Sequence, residues 1–399
     1  MSSLIIEVCR VDKIEPHPQA DRMAVATIKG WKTCIKKNDD GTTQFAEGDL
    51  CIFFPPDAIL PQALGEKLGV TNYLKTLAKN PDGTRPEGGR VAVSRLRGQP
   101  SYGFVSSLDI LHPWNPEGRP NWAVGDDVAE MLGVTKWQPP ITCTDGDAER
   151  PHPAFHRYFD LENILNFPGL IPDGTPVVFT EKLHGKNCRL ARIRDQNEAG
   201  EMAWTWMAGS HDVRRKEFVT RKRKSFDQET KELKVEEYQD KSQFWQALDK
   251  PGVRQMIDAI CNDQNNVVVF GEIFGSGVQD MAYGLANGQW DFRVFDITVN
   301  GKYLPADVKY EWCARYGVQT VPVLYDGPFS TAKVEEFVGG PTTLVANPGD
   351  ITGFKGREGI VVTAKEEVGV TTEKKVFDRM ALKAINFEYL ERKGGTEFH

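Results

Sequence analysis

The stretch TPVVFTEKLHGKNCRLA, Thr175 to Ala191, restricts this chain more than any other part of its sequence. An apolar run of β character, Val177 to Phe179, ends on Glu181 and Lys182, turns through Gly185 and resumes an apolar run at Cys188. Two readings compete: a hairpin with a surface lysine, or a strand-end lysine acting as a nucleophile. A lysine amine attacks only when deprotonated, so a catalytic lysine needs neighbouring cations, burial or a metal. Gly185 has no Cβ, which allows a bulky ligand to come close. Asn187 offers an amide suited to a ribose hydroxyl or a phosphate oxygen. Lys-x-x-Gly alone occurs too often by chance to decide.

Four further pieces point the same way. VVVFGEIFG sets Glu272 in an apolar strand between Gly271 and Gly275. A carboxylate there is costly unless it has a partner or a task. DFRVFDI offers Phe292 and Phe295, either of which could stack on a flat base. FKGREGIVV sets Glu358 at the start of a strand beside Gly359, and RMALKAINF sets Lys383 in an apolar strand near the end. Two carboxylates and two lysines in such places suit a nucleoside triphosphate with a divalent metal, and oxygen ligands with metal-bound water suit Mg²⁺.

Residues 3–110 read as all-β, with SLIIEVCRVDKI, MAVATIKGW, DLCIFFPP, VAVSRLRG and SYGFVSSL separated by Pro, Gly and Asp. Five short strands suit a small OB-type barrel, a fold often used on nucleic acid. A short helical excursion is expected between Phe54 and Lys75. Trp31, Phe53 and Phe54 read as barrel core, and His17 between two prolines as a turn residue. Residues 111–157 read as a linker, with one short helix at VGDDVAEMLGV. From Tyr158 onward strands and helices mix without strict alternation, which argues for an α+β domain. QFWQALDKPGVRQMIDAI is expected to be a helix interrupted at Pro251.

The segment Arg214 to Asp240 is highly charged, basic first and mixed later. Two readings stand at even weight, a solvated helix or mobile loop and a phosphate-binding patch. The net charge of −7 does not by itself invite nucleic acid, although a local basic surface can still bind it. Seven scattered cysteines with no Cys-x-x-Cys pair argue against a zinc ribbon or a disulfide framework and suit a reducing compartment. No signal-peptide core and no apolar run of spanning length is present, so a soluble cytoplasmic protein is expected.

The order EKLHGKN, GEIFG, FRVFD, EGIVV, LKAIN resembles the covalent nucleotidyltransferase superfamily of ATP-dependent ligases and capping enzymes. Asn187, five residues after the lysine, stands where RNA ligases carry asparagine and DNA ligases and capping enzymes usually carry arginine. In the N-terminal half, VDKIEPHPQADRMAVATIKGW, EGDLCIFFPPDAILP and SRLRGQPSYGF resemble the Deinococcus-type RNA ligases. The resemblance covers most of the chain except the charged segment 214–240, which reads as an insertion.

It implies a multidomain protein. An OB-like nucleic-acid-binding domain at 1–110 and a linker at 111–157 precede an α+β adenylyltransferase domain at 158–399, ATP-grasp-like and of the ligase nucleotidyltransferase kind. It implies that ATP is used with Mg²⁺ or Mn²⁺ to join 3′-hydroxyl and 5′-phosphate RNA ends at nicks in duplex, as in RNA repair, by a monomer. Lys182 would carry AMP as a lysyl-adenylate, and Glu358 and Glu272 would place the metal through water, Glu272 also meeting the ribose. Glu181 would meet the adenine through its backbone, Asn187 the sugar or a metal-bound water, and Phe295, or else Phe292, would stack on the base. Lys383 would hold the α-phosphate, and Arg189, with Ser210 and Arg214, falls near a further polar motif.

Two departures stand out. His184 occupies a position where many members carry a carboxylate, and Ala381 replaces the first lysine of the last motif, with Arg379 or Lys374 as substitutes nearby. Two alternatives remain at this level. One is a DNA ligase or capping enzyme, which would need an OB domain after Lys383. The other is an RNA-binding protein with a degenerate nucleotidyltransferase domain.

Overall fold

A computed structural model describes residues 3–79, 82–114, 122–138, 145–196, 200–226, 233–347, 351 and 353–392. The chain divides into two compact units. The first comprises Met1–Pro139, Glu162–Pro168 and Phe387–Phe398, and the second Pro140–Leu161 and Gly169–Asn386.

The first unit is built of short antiparallel strands. β1 (Val8–Arg10) pairs β5 (Leu50–Phe54), which pairs β6 (Phe104–Ser106). β2 (Lys13–Pro16), β3 (Met23–Ile28) and β4 (Trp31–Lys36) form a meander. Lys29 and Gly30 make the two-residue turn between β3 and β4, both at positive φ, the geometry whose twist matches a hairpin. Thr33 Oγ1 donates to Gly103 O at 2.9 Å and Tyr102 N–H to Lys32 O at 2.9 Å, tying β4 to the turn before β6. The excursion after β5 contains the helix α1 (Gln62–Leu68). Trp31, Phe53 and Phe54 are buried, and His17 is also buried, its ring hydrogen-bonded to Leu96 O at 3.0 Å.

The short helix expected at 124–134 is a run of turns instead. Asp127 Oδ1 accepts from Ala129 N–H at 2.9 Å, Leu132 N–H reaches Val128 O, and Gly133 at positive φ ends the turn after one cycle. Residues 115–121 and 139–144 of the expected linker, Cys143 among them, lie outside the described residues. The six described cysteines are free thiols.

The second unit carries two antiparallel sheets. In one, β14 (Val323–Pro328), β7 (Pro176–Lys182), β15 (Gly359–Ala364) and β16 (Ala381–Ile385) run side by side. In the other, β9 (Met202–Gly209), β8 (Lys186–Gln196), β12 (Val267–Gly275) and β13 (Trp290–Val299) do so. The second sheet is covered on one face by α2 (Gln243–Leu248) and α3 (Val253–Cys261), broken apart at Pro251 as expected. α4 (Ala306–Arg315) and α5 (Thr331–Val338) follow.

VVVFGEIF is buried throughout, yet β alternation sorts it. Val267, Val269 and Ile273 join the helix-side core, while Val268 and Phe270 face the other way with Glu272 in step.

Where it is described, the charged segment is mostly strand, not helix or mobile loop. β10 (Phe218–Phe226) and β11 (Leu233–Lys241) form a two-stranded ribbon, with the tip, 227–232, outside the described residues. Its basic and acidic halves face one another: Lys222 pairs Glu237 at 3.0 Å and Arg221 pairs Asp240 at 2.7 Å. Opposite charges set across a ladder favour the strand pairing over a helix.

Candidate nucleotide site

The two sheets of the second unit line a cleft. Val178, Thr180, Lys182, Val361 and Thr363 line it from one sheet, and Asn187, Glu272, Phe295 and Asp296 from the other. Tyr158, Lys309 and Tyr310 contribute to its wall.

Lys182 is the last residue of β7, in register with Gly359, and Glu358 is the residue just before that partner. The two form an ion pair, with Glu358 fully buried and Lys182 nearly so. Glu272 is buried on β12 in register with Asn187 of β8. Burial drives its carboxyl up to about 8; Lys182 opposes that rise and the Glu358 charge adds to it. Asn187 Oδ1 is buried in the cleft wall with no hydrogen-bond partner, an acceptor whose desolvation is uncompensated within the protein.

The glycines beside these groups serve a different purpose from the one expected. A Cβ on Gly185 would lie 2.1 Å from Ile273 O, one on Gly359 2.1 Å from Ala384 O, and one on Gly271 2.3 Å from the Phe292 ring. They let neighbouring strands, or a ring and a backbone, approach closely within each sheet; room for a ligand is not what they supply. The ring over Gly271 also settles the choice of aromatic. Phe292 is packed in the helix-side core, whereas Phe295 lines the cleft.

Glu181 turns its side chain away from Lys182. Its carboxylate accepts from Thr342 Oγ1 at 2.5 Å, Thr343 N–H at 2.8 Å and Thr343 Oγ1 at 2.7 Å, fastening the 342–343 loop to β7. Lys383 is buried and in register with Val361, so it shares the cleft-side face of the sheet, with β15 between its strand and β7. Ala381 is fully buried on the same strand. Neither expected substitute fills in for a lysine there: Arg379 is bonded to Asp296 and Glu367, and Lys374 is exposed.

Arg189 is not brought to the cleft. Its guanidinium donates to Ser210 O and Phe155 O, both at 2.7 Å, and lies 4.3 Å above the Phe155 ring. It fastens β8 to the 155–158 segment, and the position it held in the motif pattern carries no trace of that. Ser210 Oγ accepts from Val213 N–H, and Arg214 pairs Asp195 at 3.8 Å. His184 is buried, with Nε2 2.5 Å from Asp280 Oδ1 and its N–H donated to Tyr283 OH at 2.6 Å, so it braces the 280–283 turn.

A buried polar group at the inner end escaped the sequence reading. Asp296 accepts from Tyr158 OH at 2.7 Å and from Arg379 at 2.6 Å, and lies 3.6 Å from Lys309 Nζ. The partners come from positions 158, 296, 309 and 379, and only the Phe-Asp pair in FRVFD hinted at it. Among the described residues no group of three or more His, Cys, Asp or Glu is arranged to hold a metal by itself. A site with two carboxylates instead suits a hard cation that keeps waters and shares phosphate oxygens with its substrate.

A family model described as RNA ligase matches residues 175–385, more than half of the chain, and a model of an OB-fold domain matches residues 5–108. No curated protein matches the chain. Among solved structures, a variant of the Naegleria gruberi RNA ligase with ATP and Mn is 23% identical. That match covers 98% of this chain and 100% of that one with a TM-score of 0.67. The same Naegleria gruberi enzyme with PPi matches at 22% identity, covering 98% and 99% of the two chains with a TM-score of 0.67. A variant with AMP and Mn matches at 24%, with 98% and 99% coverage and a TM-score of 0.67. At these identities the likeness is one of fold: an OB-fold domain followed by a ligase nucleotidyltransferase domain.

Proposed function

This chain belongs to the RNA ligase family, and from that premise we propose that it seals RNA ends with ATP through a lysyl-adenylate on Lys182. The observation that carries the reading is the convergence on one cleft of Lys182, Glu272 and the orphaned Asn187 Oδ1, with Glu358 paired to Lys182 behind it. A triphosphate fits this donor set: an unsatisfied buried acceptor for a ribose hydroxyl, an aromatic ring for the base, and carboxylates for the cation that accompanies it. Mg²⁺ or Mn²⁺ would be held by Glu358 and Glu272 through water, and would supply charge neutralisation at the phosphates.

The chain's own groups account for the order of events. The Lys182 ammonium must lose its proton before attack, and Glu358, in hydrogen-bond contact with it, is the acceptor in place. Lys182 Nζ then forms a bond to the α-phosphorus as the bond to pyrophosphate breaks. Phe295 stacks on adenine, Asn187 meets the ribose, the backbone at Glu181 reads the base edge, and Lys383 steadies the α-phosphate. AMP next passes to the 5′-phosphate of an RNA end, freeing the lysine. A 3′-hydroxyl then attacks that phosphate and AMP leaves, an in-line displacement that depends on positioning and charge neutralisation.

The domain at 1–110 binds the RNA and the domain at 158–399 performs the chemistry. The preferred substrate is a nick in duplex with ribose on the 3′-hydroxyl side, and the protein acts in the cytoplasm as a monomer. Among the described residues no helix is long and apolar enough to cross a membrane.

The test is an intact mass spectrum after incubation with ATP and Mg²⁺, on protein first stripped of bound AMP with pyrophosphate, beside Lys182→Ala. A gain of one AMP on the wild type alone supports the reading. Absence of the adduct on wild type refutes it and favours an RNA-binding protein without adenylation. Labelling with ATP against GTP, and sealing of RNA against DNA nicks, separates an RNA ligase from a capping enzyme or a DNA ligase.

A further inference from the structure

Lys309, buried on α4, lies in the wall of the same cleft, and nothing in the scheme above uses it. Its Nζ donates to Phe295 O at 2.7 Å and lies 3.6 Å from Asp296 Oδ1. The strand it touches is irregular at that point. Along β12 and β13 the register runs Phe270 opposite Asp296 and then Gly271 opposite Val294, which leaves Phe295 as an extra residue with no cross-strand partner. A bulge of this kind re-aims side chains and takes a residue out of the ladder. Here both Phe295 and its neighbour Asp296 line the cleft, which plain alternation forbids.

The carbonyl that the bulge removes from the ladder is the one that Lys309 binds. A buried ammonium is tolerated only when paired, and Asp296, held by Tyr158 and Arg379, supplies the opposite charge. Resting on the ATP-dependent reading, we propose that Lys309 is a positioning residue: its charge-assisted hydrogen bond to the Phe295 carbonyl fixes the bulge in the form that presents the Phe295 ring to the nucleobase. Lys309 then acts on ATP through Phe295 and makes no contact with the nucleotide itself.

The adenylation half-reaction, followed by intact mass at varied ATP, tests this. Lys309→Met should raise the apparent KM for ATP about tenfold, the size of a lost base–aromatic stack, with the maximal rate within about twofold. Lys309→Arg keeps a donor and should recover most of the affinity. Phe295→Ala should raise KM to a similar extent, and the double variant should be no worse than Phe295→Ala alone, because both remove one interaction. Multiplying effects would place Lys309 on the nucleotide directly and overturn the proposal, as would an unchanged KM in Lys309→Met. Should Lys309→Met fail to fold, Lys309→Gln, which removes the charge from the hydrogen bond, completes the same cycle with and without Phe295→Ala: a KM shift that vanishes in the Phe295→Ala background supports the proposal. One that persists there, or no KM shift in Lys309→Gln, overturns it. Wild type that takes up no AMP refutes the adenylation reading and this inference with it. Wild type that labels, beside a Lys309→Met protein with unaltered KM, refutes the inference alone.

Discussion

Two regions of the second unit use the same device, a cation on one antiparallel strand facing a carboxylate on the next, and they differ in water. Lys182 and Glu358 are 11% and 0% exposed, whereas Lys222 and Glu237 on the ribbon are 66% and 58% exposed. In water such a pair gains little over its hydrated parts. Out of water the desolvation is severe, the partners become interdependent, and removing one strands the other. Each partner of the buried pair therefore depends on the other, whereas the exposed pairs add little to the ribbon.

The strongest way to break the contrast is at the nucleophile. Lys182→Ala should abolish AMP uptake, since Lys309 is held by the Phe295 carbonyl beside Asp296 and Lys383 lies two strands away; retained uptake, seen by mass spectrometry, would dissolve the distinction. Glu358→Ala comes next. It should slow adenylation by about 10²–10³, in the range for loss of one preorganised electrostatic partner. It should also lower folding stability by roughly 3 kcal/mol, because a buried ammonium loses its nearest counter-charge. Single-turnover rates and urea unfolding would report both, and a rate within a few-fold of wild type would remove Glu358 from the site.

Gly185→Ala probes the close approach of the loop at Gly185 to β12. A methyl 2.1 Å from Ile273 O forces the loop away from β12, with an expected loss of about 1–3 kcal/mol and a drop in adenylation. A variant as stable and active as wild type would show that the close approach is dispensable.

The smallest effects belong to the ribbon. Exchanging Lys222 and Glu237 should leave the unfolding midpoint nearly unchanged, with a coupling of roughly 0–1 kcal/mol in a double-mutant cycle. Neutralising Arg221, Lys222 and Arg223 should weaken RNA binding modestly and flatten its salt dependence. Unaltered binding over a salt series would leave the ribbon a structural element with no grip on RNA. Lys224, the fourth cation of that run, has a side chain outside the described residues.

The sequence reached far where a pattern has a local cause. The break at Pro251 and the strands around Lys182, Glu272 and Glu358 follow from proline chemistry and apolar runs, which act over a few residues. It failed at 124–134, where an Asp side chain and a glycine stop a helix after one turn, and at 214–240, where the partner of each charge lies many residues away. It misread the glycines as well, because only the packed sheets show what each missing Cβ would strike.

The residue types of the cleft were thus determined along the chain: a strand-end lysine, two strand carboxylates, an asparagine and a pair of candidate aromatics. Which aromatic faces the cleft, that Arg189 is spent on backbone carbonyls, and that Lys309, Asp296, Tyr158 and Arg379 form one buried group were decided only by the tertiary structure. The physical reason is a single extra residue. The bulge at Phe295 reverses the alternation of β13 midway, so no period read from the sequence can say which side chain looks inward until the neighbouring strand sets the register.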